Sequence, residues 1–209
     1  MLVTQAFSDQ IRTESLADHK AAEDSRFIAA LMAGELSRDQ YCAYLSQFQA
    51  VYASLDTASE AFKGIDQLDG FYDSKLLRSA AISADLTALG ASDFPATPAT
   101  AEYVGRINLL ARTWPLGVLA HHYTRYLGDL SGGRIIAHRL ARYLQLTPAN
   151  GLAFYQFPEI TKPPKYKDEY RARLDALELS DDERESFIEE VRVAYRMNSA
   201  VFTSLESLL

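Results

Sequence analysis

The sequence predicts an all-α domain, and three observations carry that expectation. Apolar residues recur at three- and four-residue spacing over long stretches. Apolar and polar residues do not alternate around the dipeptides that would mark hairpins. All seven prolines lie at or after Pro95, so nothing in the first half of the chain forbids helix interior. The length of 209 residues favours a single domain, 1–209, because one domain takes up about 150 residues.

The segments follow in order. Residues 7–31 read as helical, and Gly34, Gly64, Gly70 and Gly90 are natural stops. Ser37-Arg38-Asp39-Gln40 is a start signal, because a serine caps the backbone three residues on and a glutamine reaches back to it. The helix it opens puts Tyr41, Tyr44, Leu45, Phe48, Tyr52 and Leu55 on one stripe. A weaker helix spans 74–89, and 91–99, with Pro95 and Pro98, is a connection. Another helix, 101–113, is closed by Trp114 and Pro115. The stretch 116–146 is helical but interrupted by Gly128, Gly132 and Gly133, and 151–164 is an irregular aromatic, proline-rich loop. The last helices are 166–177 and 180–208. In the second of these, Phe187, Ile188, Val191, Tyr195, Val201, Phe202 and Leu205 share a face with the polar Asn198.

Composition removes several functions. The net charge of −7 argues against a general nucleic-acid binder. A lone cysteine, Cys42, allows no intramolecular disulfide or thiolate cluster and fits a reducing cytoplasm. Asp9, Arg12, Glu14, Asp18 and Lys20 near Met1 do not make a signal peptide. No run reaches the ~18 apolar residues of a membrane helix, so a soluble cytoplasmic protein without a membrane anchor is expected. His19, His121, His122 and His138 form no His-Glu-x-x-His or Glu-x-x-His pair, and phosphate-loop and nucleophile-elbow motifs are missing. Cys42, set among Tyr41, Tyr44 and Leu45, reads as a small buried filler rather than a nucleophile.

The unusual segment is Tyr123-Thr124-Arg125-Tyr126-Leu127-Gly128-Asp129-Leu130-Ser131-Gly132-Gly133. Each glycine in a helix costs about 0.5–1 kcal/mol relative to alanine, so something should offset it. Gly128 and Gly132, four residues apart, give one face a bare strip of backbone. That strip suits a flat ligand; it equally suits a close helix–helix seam, or a turn between two helices.

Gly128-Asp129-Leu130-Ser131-Gly132-Gly133 resembles the distal helix signature of the haem oxygenases, and His19-Lys20-Ala21-Ala22-Glu23 resembles their proximal ligand motif, His-x-x-Ala-Glu. Gly151-Leu152-Ala153-Phe154-Tyr155, Tyr166-Lys167-Asp168-Glu169-Tyr170-Arg171 and the pair Asn198, Phe202 extend the likeness, in family order, over nearly the whole chain. It is most like the short, soluble bacterial members.

The resemblance implies a haem b, both substrate and cofactor, sandwiched between two helices. Its products would be biliverdin, carbon monoxide and ferrous iron. His19 would ligate the iron, and Glu23, one turn on, would fix the imidazole. Arg12, seven residues before His19 and about 10.5 Å away along a continuous helix, reaches a propionate. Lys167 and Arg171 map onto the family's propionate-binding pair and Tyr123 onto its propionate-binding tyrosine. Around them Lys162, Lys165, Lys167, Arg171 and Arg173 outnumber Asp168 and Glu169. Gly128, Ser131, Gly132, Gly133 and Phe202 would border the ring. Asp129 would anchor a water network delivering the proton that steers oxygen onto the ring rather than into O–O cleavage, with Tyr52, Arg125 and Asn198 extending it. An electron donor such as ferredoxin or an NAD(P)H-dependent reductase, docking near Lys162 and Lys165, and a monomer are expected. Two rival readings remain. One is a haem carrier or sensor on the same scaffold; the other is a helical hydrolase of the thiaminase type, which needs Cys42 as nucleophile.

Overall fold

The computed structural model describes residues 5–92 and 94–209. Within them ten α-helices are joined by short 3₁₀ turns and one isolated bridge region at 147–151, as the all-α expectation requires. Asp93, in the expected connection 91–99, lies outside the described residues.

The N-terminal stretch 7–31 is three helices: α1 (Phe7–Glu14), α2 (Leu16–Glu23) and α3 (Arg26–Ala33). At Ser15 the hydroxyl donates to the Ile11 carbonyl at 2.7 Å and the backbone leaves helical geometry. At Ser25 the backbone is extended and the side chain caps Ile28 N–H at 3.4 Å. The expectation that Arg12 and His19 share one continuous helix face is therefore corrected: the Ser15 break puts them on separate helices. α3 ends at Gly34, whose φ of 82° lets Glu35 N–H bond back to Ala30 at 3.0 Å.

The helix α4 (Arg38–Ser59) opens with the expected reciprocal cap between Ser37 and Gln40. It buries its whole predicted stripe, from Tyr41 to Leu55. Each such large side chain contributes about 1.5–3 kcal/mol. The weak helix expected over 74–89 is shortened to α5 (Ser79–Leu89) because Arg78 interrupts it. The Arg78 guanidinium binds the carbonyls of Leu76, Lys75 and Gln156, while its N–H donates to Asp56. Proline starts the next two helices, α6 (Pro98–Thr113) and α7 (Pro115–Gly128), where its missing N–H is harmless. Asp129–Gly133 then form a π-helical turn, and the chain continues into α8 (Arg134–Tyr143). α9 (Pro163–Asp175) starts three residues before the expected position for the same proline reason. Ser180 and Glu183 cap each other at the head of α10 (Asp181–Leu205).

α4 packs against α5, α6 and α7, while α10 packs against α7 and α2. This leaves α2 and the glycine-bearing end of α7 on the two sides of one cleft, with α10 behind it. No helix of the described residues is long and apolar enough to cross a membrane.

Candidate active site

The cleft has a volume of about 530 Å³, within the range of small-molecule sites. His19, Ala22 and Glu23 of α2 line one side of it. His19 is half-exposed, its Nε2 3.5 Å from Glu23 Oε1, an approach too long for a good hydrogen bond. The Tyr195 ring meets the imidazole edge-on at 5.3 Å. The other histidines do not reach this space. His121 is fully buried, Nε2 2.8 Å from Glu190. His122 lies 2.9 Å from the Tyr170 hydroxyl, its pKa driven down to about 3 by burial and then by Arg173. His138 is exposed on α8 and does not line the cleft.

Gly128 and Gly132 line the opposite side. A Cβ built on either meets nothing within 4 Å. The seam explanation therefore fails at both: no neighbouring helix needs their bareness. At Gly133 it succeeds, because a Cβ there would stand 3.2 Å from the Tyr155 ring. The π turn is what the glycine spacing did not reveal. It inserts an extra residue into the helical register beside the cleft, a distortion often found at functional sites.

Behind the glycines lies a buried polar network. The Tyr52 hydroxyl donates to Asp129, and Arg125 Nε donates to the Tyr52 oxygen at 3.0 Å. Arg125 also donates to Asn198 Oδ1 at 2.8 Å and lies 3.5 Å from the other Asp129 oxygen. Asn198 Nδ2 donates to Ala194 O at 2.7 Å, which fixes the orientation of its amide. The Arg125 guanidinium lies over the Phe48 ring at 4.6 Å. Burial pushes the Asp129 carboxyl above its ordinary pKa, opposed by Arg125, the Tyr52 hydroxyl and Arg78. The four residues expected to act together are thus in contact; Tyr52 sits behind the cleft surface rather than on it.

The expected cationic rim is only partly assembled. Arg12, Tyr123, Ser131 and Arg171 line the cleft, and Lys167 Nζ donates to Ser131 Oγ at 2.8 Å from just outside it. Arg12 pairs with Asp9 and Arg171 with Asp168, each at 3.1 Å on the surface. Lys165 approaches Glu169 at 3.5 Å. Arg173 turns away, toward Phe71 and Tyr170. Phe202 lines the cleft as expected, but Tyr44 and Tyr195, whose patterning had marked only core, do so as well, and so does Tyr155 from the loop 151–164.

The family model described as "Heme oxygenase" matches residues 5–204. The chain belongs to the haem oxygenase family. The haem oxygenase of Rhodella violacea is 32% identical over 95% of this chain and 86% of that protein. Human heme oxygenase 1 is 33% identical over 98% of this chain and 73% of that protein. The structure of the enzyme from Leptospira interrogans superposes with a TM-score of 0.90 at 35% identity, covering 96% of this chain and all of that one. Heme oxygenase-1 from Synechocystis, solved in complex with heme, superposes at 0.92 with 28% identity, covering 98% and 94%. The thiaminase-type alternative has no nucleophile in this chain: Cys42 is 2% exposed, off the cleft, and burial pushes its thiol pKa up.

Proposed function

We propose that this protein opens haem oxidatively to biliverdin, carbon monoxide and ferrous iron, using O₂ and electrons from a redox partner. The observation that carries the reading is the opposition of one cleft-facing imidazole, His19, to a bare glycine wall backed by the buried Asp129 carboxyl. The residues fit the substrate. A flat ring needs the space that Gly128 and Gly132 leave open, and an iron already held by ring nitrogens needs little more than one imidazole from the chain. When bound, haem supplies both the iron that activates O₂ and the carbon that is oxidised.

Each residue then has a role. His19 would ligate the iron, and Glu23, whose carboxylate lies 3.5 Å from the imidazole, would orient the ring on closer approach. Arg12, Tyr123, Lys167 and Arg171 give an acidic chain a local positive rim for the propionates. Gly128, Gly132, Gly133, Ser131 and Phe202 shape the walls. Asp129 holds or passes a proton through water in the cleft. Its raised pKa suits that role, and Tyr52, Arg125 and Asn198 fix its position. An acidic electron carrier of the ferredoxin type, or an NAD(P)H-dependent reductase, docks at the exposed Lys162 and Lys165, and the protein works as a cytoplasmic monomer.

The test is to add hemin and then a reductase system or ascorbate, following the Soret band. Loss of the band with the appearance of biliverdin absorption supports the reading. A stable reduced or oxygenated complex would make the protein a carrier or sensor.

A further inference from the structure

The helix that carries His19 has almost no apolar hold on the rest of the molecule. Of the eight residues of α2 only the small Ala22 is buried, while Leu16, Ala17, Lys20, Ala21 and Glu23 are exposed. A helix this short is not stable on its own in water, so its place is set by its contacts, most of which are with α10.

Those contacts include a network of charges. Asp18, the residue before His19, has a side chain only 15% exposed and lies one turn before Ala22 on the same helix face. Arg192 Nε donates to its Oδ2 at 2.9 Å, and Arg196 Nη1 stands 3.6 Å from its Oδ1. Glu189 pairs with the same two arginines, so two carboxylates and two guanidinium groups close one network. Tyr195, between the arginines in sequence, meets the His19 imidazole edge-on. One stretch of α10 thus holds both Asp18 and the His19 ring, and neither arginine lines the cleft.

We propose that Asp18 is a positioning residue: its pairing with Arg192 and Arg196 sets the place of α2 on α10, and with it the place from which His19 reaches the haem iron. This rests on the reading of His19 as the ligand given above. An isolated surface pair contributes little, because two long side chains are ordered for one exposed contact. Here one carboxylate meets two guanidinium groups that a second carboxylate already holds, at a helix with little else to fix it. Haem affinity falls in proportion to the fraction of molecules that keep α2 in place. The sign of the effect separates positioning from a plain field. Haem carries net negative charge through its propionates, so removing a nearby carboxylate would tighten binding if Asp18 acted only through its charge. Positioning gives the opposite.

The test titrates hemin into the wild-type protein, Asp18→Asn, the double variant Arg192→Gln/Arg196→Gln and the triple variant, following the Soret band. Deuterium uptake by the amides of α2 is measured on each ligand-free protein. The expected result is a hemin Kd weakened about threefold in Asp18→Asn and at least as much in the arginine variant, with no further loss in the triple variant and faster exchange of α2 in all three. In about 1 M salt, where the Debye length is about 3 Å, the difference between wild type and Asp18→Asn should close. Hemin bound by Asp18→Asn as tightly as by wild type or more tightly, or unchanged exchange of α2, would overturn the proposal. The arginine variant leaves α2 itself untouched, so if Asp18→Asn does not fold, unchanged hemin affinity in the arginine variant overturns it equally. Absence of an imidazole-ligated spectrum in the wild-type protein would instead overturn the reading of His19, which exchange of the ligand-free helix does not measure.

Discussion

His19 and Glu23 stand on the cleft with side chains 43% and 65% exposed and a single 3.5 Å approach between them. Across the cleft, Arg125 and Asp129 are 11% and 9% exposed and are tied to Tyr52 and Asn198 as well as to each other. One wall is complete without any ligand; the other waits for one. The difference follows from physical chemistry. A buried ion pair is tolerated only when its remaining donors and acceptors are satisfied, so the distal groups must be fixed by the fold. An imidazole meant for a metal needs a nitrogen free of strong protein partners, so the proximal side is held loosely. On the proposed reading, catalytic direction is built in by the core, while binding strength depends on a short exposed helix.

The largest expected effect lies on the open wall. His19→Ala should abolish the imidazole-ligated haem spectrum and biliverdin formation without lowering the melting temperature of the ligand-free protein, because His19 makes no buried contact that the core depends on. An unchanged spectrum would break the comparison, and no other histidine lines the cleft to rescue it.

The glycine wall gives a smaller effect of unusual sign. Gly128 has ordinary helical backbone, φ −61° and ψ −48°, and open space where a Cβ would stand. Gly128→Ala should therefore stabilise the ligand-free protein by about 0.5–1 kcal/mol in urea unfolding while weakening hemin binding. Destabilisation in the ligand-free state would restore the seam explanation.

A pH dependence of stability originates behind the fixed wall. His121 and His122 are buried neutral with lowered pKa values, about 3 for His122, so the unfolded chain takes up their protons first. Stability should fall as pH drops below about 6.5, by up to about 1.4 kcal/mol per pH unit for each histidine. Glu190, held near 2 by His121 and Arg106 against its own burial, stabilises the fold above its unfolded pKa of 4.5 and loses that contribution only as the pH falls toward 2. Unfolding free energies at pH 7, 6 and 5 measure the slope, and a flat profile would contradict it.

Much of this was legible in the sequence because it was encoded locally. Ser37 with Gln40 and Ser180 with Glu183 announce their helices by short-range capping, and the stripe from Tyr41 to Leu55 is read from periodicity. His19 and Asp129 stand out in the sequence because their motifs are distinctive. The break at Ser15 was not legible, since a serine inside an apolar pattern can either continue a helix or bend its own backbone. The π turn also escaped notice, because glycine spacing does not specify a hydrogen-bond register.

Asp129 is where the central claim is tested most directly. Asparagine is the substitution to use, because it removes the carboxylate while keeping an oxygen that can accept from the Tyr52 hydroxyl, which alanine would leave unpaired. The measurement is the amount of biliverdin formed per bound haem by Asp129→Asn, supplied with O₂ and reductant after its hemin affinity has been titrated. Hemin affinity close to wild type with biliverdin formation lost is the expected result. Undiminished biliverdin formation would contradict the account, showing that the fixed distal carboxylate does not direct the chemistry.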